Sequence, residues 1–391
     1  MKIVYCIEDL DRVGGIERVT ITKANVLAGI EGNEVWLAVN TEKKTPVFPV
    51  DGRIRIVNLD VNYYENDWKM NKFQQLRNIF IKRNEHKQKL IKMLNTIKPD
   101  IVISTDNTEK TLLPSLSCPS SPLFIREIHY TSNHRHLGGT TSLYSRIISR
   151  VCEFCDYKIR IRKYDRIVVL THEDKDTFWK KNNKVIVIPN PVTIKHTKRS
   201  SLKCRTVITA GRLERQKNYV SLIRAWKTVH LLHPEWILEI WGDGSQRNLL
   251  QQCIDTLGLK NNVFLKGTTI DIISKMTESS IFVLSSLYEG LPLVMIEAMS
   301  CGLPVVSYAC PCGPKDIITE SKDGFLVPVG DERTMAERIN YLIEHEDMRQ
   351  QMGMASLEKS KQYSIDIIIQ KWMSLFTELL NKKKKESTWI R

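Results

Sequence analysis

Short runs of β-branched and aliphatic residues, each followed by a longer amphipathic stretch, recur along the chain, pause once, and then start again. That alternation limits the fold more than any other feature. Strands separated by helices must pair in parallel, and the helices then cover both faces of the sheet. In the first series the runs at 2–7, 34–39, 53–59, 100–104, 122–127, 166–170 and 184–189 predict strands, with helices over 16–30, 70–97, 142–163 and 172–181. The passage "NPVTIKHTKRSSLKCR" is polar and basic without periodicity, and it sets a boundary near 192–204. Strands are then expected at 206–210, 236–241, 262–266, 280–285 and 304–308, with helices at 218–232, 246–257, 292–300, 331–344 and 347–358. Together these define an α/β protein of two Rossmann-like doubly wound domains, residues 1–195 and 203–364, facing a central cleft. A last amphipathic stretch within 365–391 is expected to pack back on the first domain. Strand carboxyl ends from both sheets converge on the cleft, the usual place for a ligand.

A chain of 391 residues supports two such domains. The opening "MKIVYCIEDLDRVGG" has too short an apolar stretch for a signal peptide, and no run of about 18 uncharged apolar residues exists. A cytoplasmic protein is expected. Its nine cysteines then read as reduced thiols. Cys152/Cys155 and Cys310/Cys312 together could supply four zinc ligands, but the pairs are far apart in sequence and "CPCG" is too tight for a zinc knuckle. No metal is expected. "DLD" (9–11) and "DKD" (174–176) read as solvated loops and helix caps. The net charge of +14 is uneven: 34 basic and 22 acidic side chains fall in the first 200 residues, 24 and 22 in the rest. An anionic partner is implied for the first half.

The apolar stretch "YEGLPLVMIEAMSCGLPVVSY" (288–308) carries two glutamates, Glu289 and Glu297. An unpartnered buried carboxylate costs several kcal/mol, so polar partners are expected for both. A strand runs into this stretch. Pro292 is suited to begin a helix, which turns the amides of Gly290 and Leu291 toward an anion. Glu289 lies in the loop and Glu297 in the second helical turn, roughly 10 Å further along. They are too distant for a carboxylate dyad, but suit hydroxyls at two ends of one ligand. In "ITAGRLERQKN" (208–218) a strand meets Gly211, where a ligand can approach the backbone, followed by Arg212 and Lys217, a clamp suited to a diphosphate.

"GRLERQKN", "WGDGSQRNLL", "VFLKG", "SSLYEGLPLVMIEAMSCGLPVVSY" and "GPKDIITESKDGFLVPVGD" together resemble the donor domain of retaining glycosyltransferases of the GT-B fold, family 4. The resemblance is dense over about 205–345, with sparser matches at "GGIERV", "LTHEDKDTF" and "IPNPV". It implies that Arg212 and Lys217 neutralise a donor diphosphate, Glu297 holds the ribose, and Glu289 with the amides after it holds the sugar. Gly14 and Gly15 resemble the loop opposite the phosphates. Many relatives carry glutamate where Asp316 stands, and a loop contact from Asp316 is expected. The family also implies a histidine near the transferred sugar. Of His129, His134 and His136, His129 fits best because it follows the strand directly, whereas His172 reads as a helix-start feature behind Thr171. The leaving diphosphate, stabilised by Arg212 and Lys217, is expected to help take the incoming proton in a front-face substitution. This implies a hexosyltransferase using a nucleotide diphosphate-sugar, with UDP favoured, in bacterial surface polysaccharide assembly such as lipopolysaccharide or capsule. The alternatives are a GDP-mannose-dependent mannosyltransferase and a non-catalytic nucleotide-sugar or glycan-binding protein.

Basic helices at 70–97, with Phe80, Ile81, Leu90 and Ile91, and at 144–163, with Arg146, Arg150, Lys158, Arg160 and Lys163, suit an anionic membrane surface. Relatives that extend polyprenyl-diphosphate-linked glycans point to the same inner-face location, and Lys382 to Lys385 add charge. Nucleic acid is not expected, since the basic stripes lack interleaved aromatics.

Overall fold

Every strand pairs in parallel. The computed structural model describes residues 1–11, 14–41, 45–63, 71–105, 109, 112–113, 116, 118–131, 160–180, 182–194 and 196–389. The first sheet contains β1 (Lys2–Ile7), β2 (Glu34–Val39), β3 (Arg55–Asn58), β4 (Ile101–Ser104), β5 (Leu123–Glu127), β6 (Arg166–Val169) and β7 (Val185–Val187), in the order β3-β2-β1-β4-β5-β6-β7. The second contains β8 (Thr206–Ala210), β9 (Ile237–Trp241), β10 (Val263–Gly267), β11 (Ile281–Leu284), β12 (Val305–Tyr308) and β13 (Gly324–Val327), in the order β10-β9-β8-β11-β12-β13. Strand order reverses between β1 and β4 and again between β8 and β11. Those two reversals open a crevice at the strand carboxyl ends.

Both faces of each sheet are buried, which is why the strands read as nearly continuous apolar runs. Along β1, Ile3, Tyr5 and Ile7 enter one core cluster while Val4 and Cys6 enter another on the opposite face. The C-terminal helix Ile365–Trp389 contributes Ile368, Trp372, Leu375, Phe376 and Leu379 to the cluster that holds Tyr5 and Leu37. The end of the chain is therefore part of the first sheet's core. In the second sheet Val207 and Val283 face a cluster that contains Trp226, whereas Ile208 and Phe282 face one that contains Met295.

The helix Lys72–Ile97 is amphipathic in two stages. Leu90, Met93 and Leu94 are buried beside Val4 and Trp36, while Phe80 and Ile81 are 76% and 51% exposed. Leu90 therefore belongs to the core rather than to a membrane-facing stripe with Phe80. Most of the expected helix at 142–163 lies outside the described residues, as do His134, His136, Cys152 and Cys155. Among the described residues no helix is long and apolar enough to cross a membrane.

Candidate active site

The loop after β8 and the loop after β11 are stitched together. The Ser285 hydroxyl donates to the Lys217 carbonyl at 2.8 Å, the Gln216 side chain donates to the Tyr288 carbonyl at 2.8 Å, and the Leu287 amide donates to the Gln216 carbonyl at 2.8 Å. This framework fixes an ion pair between Lys217 and Glu289, Nζ to Oε1 at 2.7 Å. The Ser286 hydroxyl donates to the same oxygen at 2.6 Å. Glu289 is buried, and its second carboxylate oxygen takes no hydrogen bond from the described residues. It is free to accept a ligand hydroxyl. Gly211 is required beside it, because a Cβ there would lie 2.9 Å from the Tyr219 hydroxyl and 3.1 Å from Lys217 Cε.

Two adjoining cavities of about 590 Å³ each share Gly15, Arg212, Gln216, Glu289, Leu291 and Leu293 as walls. The first continues along Gly211, Lys217, Trp241, Asp243 and Thr268, and the second reaches Gly14, Glu17, His129 and Asn190. One cleft thus runs between the domains. Gly15 opens the helix Gly15–Gly29 at its rim, and the amides of Gly290 and Leu291 make no hydrogen bond within the described residues. Free amides beside Arg212 and Lys217 suit an anion. Helix Leu293–Ser300 starts one residue after Pro292, which is its N-cap rather than its first helical residue. At Gly290 the second domain meets the first: a Cβ there would lie 2.5 Å from the His129 carbonyl oxygen and 3.0 Å from Tyr130 Cα.

Three expected contacts are placed differently. Glu297 lines neither cavity; its side chain is 3% exposed and accepts a 2.6 Å hydrogen bond from Arg18 of the opposite domain. Burial pushes the Glu297 carboxyl up, opposed by Arg18. Asp316 also lies off the cleft. Its carboxylate caps the helix His172–Phe178 by accepting from the amides of His172 at 2.6 Å and Glu173 at 3.1 Å, so this carboxylate ties the domains together instead of facing a substrate. Lys315 and Glu173 pair at 2.9 Å beside it. The His129 side chain is only 1% exposed, with Nδ1 3.4 Å from the Asn190 amide nitrogen and Nε2 3.6 Å from Glu127 Oε1. It is a wall of the second cavity rather than an open base. Behind it Lys23, fully buried, donates to Glu127. Burial alone would push the Glu127 carboxyl up, but Lys23 and His129 outweigh it and bring its pKa to about 2.

Of the four aspartates expected in solvated loops and caps, two are buried and Asp176 is exposed. Asp9 is 3% exposed and accepts from the amides of Leu10 and Asp11, and Asp174 is 3% exposed behind the Thr171 cap. Backbone donors satisfy Asp9 where water was expected, and the Cys312 thiol donates to Asp174 Oδ1 at 3.8 Å. Cys310 and Cys312 are buried thiols, and among the described residues no three His, Cys, Asp or Glu side chains cluster as metal ligands. Sequence reasoning passed over Arg18, Gln216, Asn190 and the Lys23–Glu127 pair. Only Arg18 left a signal, as a cation one turn into a helix whose N-terminus was expected to face the cleft.

Residues 193–359 match the glycosyl transferases group 1 family. An uncharacterized glycosyltransferase of Methanocaldococcus jannaschii is 30% identical over 73% of this chain and 81% of its own length. An N-acetyl-D-galactosaminyltransferase of Campylobacter jejuni, whose name specifies a diphospho-undecaprenol-linked glycan, is 26% identical over 97% of this chain and 99% of its own. An exopolysaccharide phosphotransferase of Streptomyces coelicolor is 29% identical over 98% of this chain, which spans 41% of that protein. Among solved structures, HepE of Anabaena in complex with UDP superposes with a TM-score of 0.73 at 17% identity, covering 97% of this chain and 100% of that one.

Proposed function

The chain belongs to the glycosyl transferases group 1 family, and from that premise we propose that it transfers a hexosyl unit, with retention, from a nucleotide diphosphate-sugar to a glycan or lipid-linked acceptor. One observation carries the reading: Arg212, the Lys217–Glu289 pair and unbonded loop amides converge where two cavities join. The first cavity suits the nucleotide, with the diphosphate against Arg212, Lys217 and Gly15. Glu289 at the junction suits the sugar hydroxyls. The second cavity, beyond His129, suits the acceptor. As the sugar–phosphate bond breaks, negative charge grows on the diphosphate, and fixed cations and amides stabilise that charge without reorganising. Incoming hydroxyl and leaving phosphate then share one face, and the phosphate oxygen accepts the proton.

UDP is favoured as the nucleotide, consistent with the UDP bound to the HepE structure of the same fold. Polyprenyl-diphosphate-linked acceptors are favoured because the Campylobacter relative is named for one. The exposed Phe80 and Ile81, on a helix rich in Lys and Arg, would rest on the anionic inner face of the membrane where such acceptors reside. Arg212 and Lys217 fill the role a metal plays at other diphosphate sites, so chelation should leave turnover unchanged.

Incubation with UDP-, GDP- and ADP-sugars, with release of nucleoside diphosphate followed and product anomers read by NMR, tests the proposal. Turnover of one UDP-hexose with an unchanged anomeric configuration is expected. Turnover of GDP-mannose would shift the donor, an inverted product would refute retention, and binding without turnover of any donor would leave a binding protein.

A further inference from the structure

We propose that Arg18 is a donor-binding residue held on Glu297, and that it passes to the donor diphosphate when the ribose takes its place on that carboxylate. The inference rests on the donor-site reading above. Arg18 stands one turn inside the helix Gly15–Gly29 of the first domain, whereas Glu297 belongs to the helix Leu293–Ser300 of the second. A single hydrogen bond of 2.6 Å, Nη2 to Oε1, spans the cleft between them.

Three features mark this pair as an exchange site rather than a structural brace. First, it is poorly satisfied. Glu297 is nearly sealed yet takes only this one side-chain hydrogen bond among the described residues, and Arg18 Nε is a buried donor without a partner. A buried donor left without a partner costs free energy, so Arg18 Nε gains by any move that bonds it. Second, Arg18 lines the first cavity and Glu297 does not, so Arg18 is itself the wall that separates the carboxylate from the ligand space. A hydroxyl that takes the Oε1 position on Glu297 displaces that guanidinium. Third, the cavity offers it a better partner. Gly15, Arg212 and Lys217 line the same space, and a guanidinium binds phosphate oxygens bidentately where it now makes one bond.

The exchange conserves charge pairing: a neutral diol replaces the cation at the carboxylate, and an anionic diphosphate replaces the carboxylate at the cation. Because Arg18 comes from the first domain whereas Arg212 and Lys217 come from the second, the exchange replaces the direct tie between the domains with one made through the nucleotide, and it is complete only when both halves of the nucleotide are present. Nucleoside or phosphate alone completes one side of it.

Titration calorimetry with inorganic pyrophosphate and with uridine (guanosine if the wild type selects guanine) tests this on four proteins. Relative to wild type, Arg18→Ala should weaken pyrophosphate about tenfold and leave uridine equal or tighter. Glu297→Gln frees Arg18, so it should bind pyrophosphate several-fold more tightly and uridine more weakly. In the double variant Arg18→Ala/Glu297→Gln the pyrophosphate gain should vanish. These opposite signs cannot arise from misfolding. Persistence of the gain in the double variant would mean that Glu297 merely repels anions, and equal losses of both ligands in Arg18→Ala would mean a structural brace; either overturns the proposal. A wild type that binds no pyrophosphate, uridine or guanosine removes the donor-site reading and this inference with it.

Discussion

Replacing Lys23 by methionine strikes a fully buried charge in the first domain. Lys23 is 0% exposed, donates to Glu127, and sits 4.8 Å from the Trp372 ring centroid and 5.7 Å from that of Tyr5. The Glu127 pKa falls from an ordinary 4.5 to about 2, which at about 1.4 kcal/mol per unit favours the carboxylate by roughly 3 kcal/mol, while burial lowers the Lys23 pKa and offsets part of that gain. A depressed carboxyl pKa means that this stability is fully present above pH 4.5 and is lost as pH falls toward 2. Lys23→Met leaves the carboxylate buried without its cation, and should cost about 3–5 kcal/mol at neutral pH. The loss should shrink in acid, where the stranded Glu127 takes up a proton. Removing both charges with Lys23→Met/Glu127→Leu should recover most of the stability. Urea unfolding of the full chain at pH 7 and at acidic pH measures all three. A single variant costing under about 1 kcal/mol at pH 7, or showing the wild-type acid slope, would refute the reasoning.

Gly290→Ala should lower the melting temperature by an amount matching about 1–3 kcal/mol and depress turnover, because its methyl would sit 2.5 Å from the His129 carbonyl oxygen and both neighbours are backbone. Calorimetry and steady-state rates read the two effects, and an unchanged melting temperature would show that the domains do not close on Gly290. Asp316→Ala should cost about 1 kcal/mol through the lost helix cap, with the donor KM unchanged because Asp316 lines neither cavity. Phe80→Ser/Ile81→Ser should keep stability within about 0.5 kcal/mol, since both side chains are exposed. It should also reduce pelleting with anionic vesicles several-fold. Undiminished pelleting would detach that helix from the membrane reading.

Periodicity made the architecture legible because both sheets are buried on two faces, so apolar runs and strands coincide. Several short elements escaped it, the helix Pro314–Ile317 among them. The strand "GFLV" at Gly324–Val327 begins with glycine and lasts four residues, and the helix Ile272–Thr277 is too short for a 3.6-residue period to show. At the site, Gly211, Arg212, Lys217 and Glu289 could be found because strand ends and the loops after them are local in sequence. Arg18 and Glu297 are 279 residues apart, and nothing local links them. Asp316 was expected at the ligand because the resemblance places a carboxylate there; here it faces two amides of another domain, a partner far away in sequence. Asp9 was misread as solvated for the same reason, since backbone donors make burial of a carboxylate tolerable and leave no trace in composition.

The central claim is that Arg212 and Lys217 receive the diphosphate of a nucleotide donor. Calorimetric titration of UDP, and of GDP in parallel, into wild type, Arg212→Ala and Lys217→Ala tests it most directly. The account predicts that one nucleotide binds the wild type and that each substitution weakens it about 10- to 100-fold, about 1.4–2.8 kcal/mol per charge-assisted contact. Binding of neither nucleotide, or equal affinity in all three proteins, would contradict it.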